Sequence, residues 1–241
     1  MTRRPDVTVD AFDRDAAHNR GYLYTTNARL SSRLANQRLT EAALAAASLT
    51  GKRVLDVGCG DGTYTVDLFE AGHPASVYGF DPAREAIAIA RDKVKGRPIT
   101  FAEHDAYDVP LKSDSFDVAV LRGVLHHVER PADVLREALR LAPVLIVIEP
   151  NGYNFILKCI EKVSRYHREH GEKSYAPLTL DRWVEQLGGS VRTRRWVGLV
   201  PMFCPDWFAR ALKRIEPVFE RIPVLSAAGC AVYAFVAERR E

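Results

Sequence analysis

Between positions 53 and 149, short apolar runs rich in Val, Ile, Leu and Phe alternate with longer stretches of helix formers. RVLDV (53–57), SVYGF (76–80), ITFAE (99–103), FDVAVLR (116–122) and VLIVIE (144–149) predict strands, since each is short, β-branched or aromatic, and flanked by turn or charged residues. Helices are predicted between them over 63–71, from Pro82 to about Val94, and from near Pro131, where a proline suits the first helical turn. Ahead of the first strand, Leu30, Leu34, Leu39, Ala43 and Leu44 recur at three and four, which predicts one or two amphipathic helices within 24–48. Strands alternating with helices imply an α/β, doubly wound sheet covered on both faces. Beyond Glu149 the alternation is broken twice. A polar and aromatic stretch, 151–177, precedes a helix at 180–187 and a strand at 190–197. A second break, 198–228, contains Phe203, Trp207, Phe208 and Phe219 before a last strand at 230–238. Interruptions of this kind carry binding loops on a rigid scaffold.

Composition narrows the class without naming it. A chain of 241 residues, 47% apolar and 27% charged, is ordinary for one globular domain. No run approaches the roughly 18 apolar residues that span a bilayer. The opening MTRRPDVTVDAFDRD has basic residues but no apolar stretch behind them, so no secretory signal is expected and the cytoplasm is the expected location. Cys59, Cys159, Cys204 and Cys230 form no CxxC pair, which predicts free thiols rather than a zinc knuckle or disulfide framework. A net charge of +3 argues for no nucleic-acid partner, and VRTRRW and the terminal ERRE read as a solvated strand edge and a tail.

Chemistry enters with VLDVGCGDGTYT (54–65). A glycine loop between a strand and a helix can seat a pyrophosphate on the helix N-terminus. Here Asp56 closes the strand and Asp61 lies inside the loop, and anions beside an anion site are costly. A ligand with a cationic amino group is favoured instead. The second strand ends in Asp81, about 20 residues past the glycines, where an acid can accept from both ribose hydroxyls. The third ends at Asp105, backed by the small Ala106, where an acid can accept from an adenine amino group. Asp81 alone is shared with nicotinamide dinucleotide sites, so an oxidoreductase is the alternative of a different class, and a binding subunit without transfer activity is another.

With these residues the chain resembles the class I S-adenosylmethionine-dependent methyltransferases, in the small-molecule branch with a "type 11" domain. The matching stretches are VLDVGCGDGTYT, YGFDPAREAIAIAR, FAEHDAYDVPLKSDSFDVAVLRGVLHHVERP and VLIVIEPN, together about 51–151. The resemblance implies a Rossmann-like seven-stranded sheet with its last strand antiparallel, and S-adenosylmethionine as cofactor, leaving as S-adenosylhomocysteine. One domain is expected, with a helical lid (1–50), a cofactor core (51–150) and an acceptor-side half (151–241) carrying the insertions 151–177 and 198–228. The resemblance also implies Asp56, Gly58, Cys59 and Gly60 at the methionine end, Asp81 and Pro82 at the ribose, Asp105 and Ala106 at adenine, and Arg122 lining the site. Related methyltransferases cover the cofactor with a leading helix, so Tyr24 and Arg29 are candidates to meet the methionine carboxylate or the acceptor.

Methyl transfer from a sulfonium is an in-line displacement, so the protein mainly positions the acceptor and sometimes removes its proton. His126 and His127 follow the fourth strand and are candidates for a general base, with Glu149 and Tyr24 beside them. Tyr22, Asn151, Tyr153, Asn154, Tyr166, His167, His170 and Lys173 are candidates for binding a hydroxylated or anionic acceptor. His167 and His170 would share a helical face, but no third ligand is signposted and no metal is expected. The fourth strand ends LRGV, without the Pro-Pro-aromatic signature of enzymes that methylate a base amino group, so a small-molecule acceptor methylated at oxygen is expected, in a secondary metabolite, a sugar or a lipid-linked glycan. A nitrogen acceptor on a small molecule or protein is the alternative within the class.

Overall fold

The computed structural model describes residues 7–94, 96–163 and 173–240. Among them seven strands make one sheet: β1 (Arg53–Val57), β2 (Ser76–Asp81), β3 (Ile99–Glu103), β4 (Val118–Arg122), β5 (Val144–Pro150), β6 (Gly189–Val197) and β7 (Val232–Arg239). Their order is β3-β2-β1-β4-β5-β7-β6. The first five strands pair in parallel, and β7 runs antiparallel to both of its neighbours, as the sequence implied. Chain order reverses between β1 and β4, and the crevice beyond the carboxyl ends of these strands is where open α/β sheets bind ligands.

The helices are α1 (Val7–Asn19), α2 (Leu23–Thr26), α3 (Leu30–Ala46), α4 (Thr63–Gly72), α5 (Arg84–Lys93), α6 (Pro131–Leu141), α7 (Phe155–Val163), α8 (Pro177–Gln186), α9 (Asp206–Phe219) and α10 (Pro223–Gly229). One face of the sheet buries Ala42, Ala43, Leu68, Ile87 and Ala90 from α3, α4 and α5. The other buries Val134, Leu135, Ala138, Leu180 and Val184 from α6 and α8. Strands apolar on both faces are what this double cover requires, and β4 and β5 are buried along most of their length.

Three differences from the sequence reading have local causes. α1 lacks a strong apolar stripe, yet it forms against α5, where Ala16 is fully buried beside Ala83 and Ala86. The Asp13 carboxylate there accepts from the Glu85 N–H (3.0 Å) and so caps the start of α5. β4 begins two residues late, where Asp117 spends its carboxylate on the Arg53 N–H (2.8 Å) and guanidinium (2.9 Å) at the amino ends of β1 and β4. β7 begins late because the Cys230 N–H closes α10 on the Ser226 carbonyl (3.0 Å). The stretches read as interruptions contain α7, α9 and α10.

Candidate functional site

The turn after β1 is stitched to the end of β2. The Cys59 N–H donates to the Phe80 carbonyl (3.0 Å), and the two Asp81 oxygens accept from the N–H groups of Gly60 (3.0 Å) and Ala83 (2.9 Å). Gly58 and Gly60 adopt φ of 67° and 54°, the left-handed region where only glycine is unstrained. A Cβ on Gly58 would sit 2.7 Å from Val124, and one on Gly60 would run into the Tyr22 ring. Bare backbone is therefore required at both places.

Acids gather along this edge. Asp56 is 5% exposed and accepts from the Thr65 hydroxyl at 2.6 Å. Burial raises its carboxyl to about 6, against the opposing pull of that hydrogen bond and of Arg122. Burial likewise raises Asp81 to about 6; its two backbone donors lower it, and Asp13 and Asp61 push it up. Asp105 turns back to accept from the Tyr107 N–H (3.0 Å), with Ala106 buried behind it. Pro82 is exposed between Asp81 and Ala83, and the buried Cys59 thiol is pushed up by burial, so it is a packing group rather than a nucleophile.

Asp61 has a role that the sequence did not disclose. Its carboxylate accepts from the Tyr22 N–H (3.1 Å), the Thr25 hydroxyl (2.5 Å) and the Thr63 N–H (3.0 Å), and pairs with the Lys93 ammonium at 3.2 Å. Burial works to raise it, yet the Thr25 hydroxyl, the Lys93 charge and Thr63 hold it below the usual carboxylate range. It is a latch. Through it residues 20–26 lie across the glycine turn, with Tyr22 3% exposed on Gly60. Only the identity of an acid within the loop was legible, because its partners lie about 40 residues upstream.

Tyr24 and Arg29 are placed differently from Tyr22. Tyr24 stacks on Tyr22 and Tyr64 (ring centroids 5.4 and 6.3 Å) and lines a groove of about 520 Å³ between α3 and α4 with Asn36, Thr40, Tyr64 and Asp67. Arg29 is exposed at the start of α3. Arg122 is held by α3: its guanidinium donates to the Thr40 hydroxyl (2.9 Å) and the Asn36 carbonyl (3.0 Å) and lies 3.6 Å over the Tyr64 ring. Its charge acts on Asp56 from behind the strand end.

Glu149 at the end of β5 organises the loop after β4. One oxygen accepts the N–H groups of Val124 (2.8 Å) and Leu125 (2.7 Å), and the other lies 2.8 Å from His126 Nδ1. His127 stacks beside His126 with ring centroids 3.8 Å apart. A carboxylate only accepts, so this contact puts the proton on His126 Nδ1 and the acceptor lone pair on Nε2.

Asn151 and Asn154 serve the scaffold. The Asn151 amide donates to the carbonyls of Ala227 (2.8 Å) and Cys230 (2.9 Å), and the Asn154 amide to those of Gly229 (3.1 Å) and Cys230 (3.2 Å). Their Oδ1 atoms accept from Tyr153 and Leu157, so both amides brace α7 and α10 against β5. This corrects their reading as acceptor-facing groups, and polar residues after a strand look alike in sequence whether they brace or bind. Tyr153 is 41% exposed, Lys173 is exposed, and Tyr166, His167 and His170 lie outside the described residues.

The comparisons with known proteins converge on this edge of the sheet. Residues 55–153 match the methyltransferase-domain family model of the type 11 group, the span that contains the glycine turn, Asp81, Asp105 and Glu149. This span carries a methyltransferase domain of the class I S-adenosylmethionine-dependent kind. The chain is 29% identical over 175 residues to a ubiquinone biosynthesis O-methyltransferase of Aeromonas salmonicida, covering 64% of this chain and 69% of that protein. For most of the other curated relatives it matches, the chain spans half their length or less. The fold is that of a possible histamine N-methyltransferase from Thermotoga maritima (20% identity, 97% and 100% of the two chains, TM-score 0.71). It is also that of the magnesium protoporphyrin IX methyltransferase of Synechocystis with bound SAH (18% identity, 88% and 84%, TM-score 0.61). The cofactor of this methyltransferase family is S-adenosylmethionine, and the donor set here fits it: paired carboxylate oxygens on Asp81, a buried acid at Asp56, and a left-handed glycine turn tied to Asp81.

Proposed function

We propose that the chain transfers a methyl group from S-adenosylmethionine to a hydroxyl oxygen of a small-molecule acceptor. The observation that carries this reading is the row of acids at three successive strand ends, Asp56, Asp81 and Asp105, with the glycine turn tied directly to the middle one. In this reading Asp81 accepts from the two ribose hydroxyls with the lone pairs its backbone donors leave, and Asp105 meets the adenine amino group. Asp56 supplies the negative charge opposite the ammonium, and Gly58 and Gly60 admit the methionine half. Tyr22, latched by Asp61, roofs the cofactor.

When bound, the cofactor supplies a methyl carbon activated by its sulfonium: the new C–O bond forms as the S–C bond breaks, and S-adenosylhomocysteine departs. What remains for the chain is alignment and, for a hydroxyl acceptor, acceptance of its proton. His126 is the group we assign to that step. Glu149 orients the ring, so a proton taken from the acceptor goes to Nε2. Oxygen is favoured over nitrogen because several of the curated relatives are named ubiquinone biosynthesis O-methyltransferases.

The test is incubation with S-adenosylmethionine carrying an isotopic methyl label and a panel of phenols, catechols, sugars and amines, read by mass spectrometry. Label on a phenolic or alcoholic oxygen supports the reading. Label confined to amines overturns the choice of atom, and no binding of S-adenosylhomocysteine overturns the whole.

A further inference from the structure

The surface formed by α9 and α10 has no part in the account above. In α9 the inward positions are Ala209, Leu212, Lys213, Glu216 and Phe219, spaced by three and four. The opposite side is a continuous apolar stripe: Trp207 (73% exposed), Ile215 (52%) and Val218 (63%), with Ala211 between them and Ile222 just beyond. Arg210, Arg214 and Arg221, all exposed, project along one edge of that stripe by the same periodicity.

Of the acids in this helix only Asp206 lies on the outward face, four residues before Arg210, which leaves Arg214 and Arg221 without an acid of α9 beside them. Glu216 is buried, accepting from the Leu199 N–H (2.9 Å) and pairing with Lys213 (2.6 Å). Glu220 pairs with Arg38 and accepts from the Gly198 N–H (2.9 Å). Asp206, at the start of the helix, offsets Arg210 alone. The apolar surface continues through Val224 (78% exposed) and Leu225 on α10. It goes on to Phe155 and Ile156 of α7, which packs against α10.

This surface stands at the working edge of the sheet. Residues 198–231 leave the carboxyl end of β6, which is parallel to β5, and return into β7 at that same edge. The Ser31 and Ser32 hydroxyls of α3 both donate to the Met202 carbonyl (2.8 and 2.7 Å), which ties the segment to the helix that follows the roof.

We propose that α9 and α10 dock on an anionic lipid surface. The α9 stripe would lie in the headgroup region, with Trp207 at the interface and Arg210, Arg214 and Arg221 on lipid phosphates. Two features select this occupant. Exposed apolar surface of this extent marks an interaction site rather than ordinary surface. A tryptophan-bearing stripe whose edge carries three arginines against one acid, Asp206, has the charge and shape of an interfacial helix. Among the described residues no helix is long and apolar enough to cross a membrane, so the attachment is peripheral.

The experiment uses the full chain with phosphatidylcholine vesicles, with and without phosphatidylglycerol. The proposal expects co-sedimentation with the anionic vesicles at least about tenfold stronger than with the neutral ones. It also expects a blue shift of tryptophan emission, which Trp207→Phe removes. Combined Ile215→Ser and Val218→Ser, and separately Arg210→Glu with Arg214→Glu, should abolish binding while thermal midpoints and S-adenosylhomocysteine affinity stay at wild-type values. Absence of vesicle binding, or equal binding by the variants, overturns the proposal. So does sedimentation equilibrium showing a dimer that the apolar variant dissolves, since a second copy would then cover the face. Because cofactor binding is measured in the same samples, loss of docking with intact binding leaves the methyltransferase reading standing.

Discussion

Replacing Asp61 by Asn removes one charge and one acceptor from the latch and little volume. One carboxylate oxygen serves the Tyr22 N–H and the Thr25 hydroxyl, and the other serves the Thr63 N–H and Lys93. An amide has only one acceptor oxygen, so either Tyr22 or Thr63 faces an NH₂ group and loses its partner. Leaving such a buried donor unmade costs about 1–3 kcal/mol. Loss of the Lys93 pair, whose ammonium is about one-third exposed, adds only about 1 kcal/mol. The sum, about 2–4 kcal/mol, falls on the segment 7–29 rather than on the sheet, and raises the open population of that segment by about 30- to 1000-fold. Hydrogen exchange read by mass spectrometry on peptides covering 7–29 checks it, with β4 and β5 as internal controls. Unchanged protection in 7–29, or protection lost equally throughout the sheet, would refute the assignment of Asp61 as a local latch.

Gly60→Ala places a methyl against the Tyr22 ring at a backbone angle that L residues avoid, so S-adenosylhomocysteine affinity should fall by more than about tenfold in calorimetric titration. Asp56 and Asp81, both raised by burial to about 6, favour their protonated forms in the ligand-free fold. Their stabilising contribution is therefore present below the unfolded carboxyl value and is lost as pH rises through about 6. Cofactor affinity runs the opposite way, because the cation needs the ionised acid; it should weaken by about fourfold per group at about pH 5.5, and a flat profile between pH 5 and 7.5 would count against both roles. Glu149→Ala strands two buried N–H groups and should lower stability by about 3–5 kcal/mol in urea titration. Glu149→Gln keeps an acceptor for those groups but presents a donor to His126, so it should shift the pH–rate profile with a much smaller loss of stability.

The strands were legible because a sheet covered on both faces must be written in short apolar runs, and those runs cannot be confused with helices of 10 residues or more. The acids Asp56, Asp81 and Asp105 were legible because each ends such a run, and the strand end determines which edge an acid occupies. What was not legible depends on contacts distant in sequence. α1 is too weakly amphipathic to stand alone and exists through Ala16 and Asp13 against α5. Asp61 reads only as an acid inside the loop until its partners at Tyr22 and Thr25 are seen. Asn151 and Asn154 carry the same polarity as an acceptor pocket, but the carbonyls of residues 227–230 consume their amides. The helices of the second insertion escaped notice although Trp207, Ala211, Ile215 and Val218 recur at helical spacing, because Pro205, Pro217 and Pro223 punctuate the stretch like a loop.

Calorimetric titration of S-adenosylhomocysteine into the wild-type chain and into Asp81→Ala asks whether the edge centred on Asp81 holds S-adenosylmethionine. One-to-one binding is expected in the wild type, and in the variant an affinity lower by more than about tenfold, since two charge-assisted hydrogen bonds to the ribose are lost together. Absence of binding in the wild type, or the same affinity in both proteins, would contradict it.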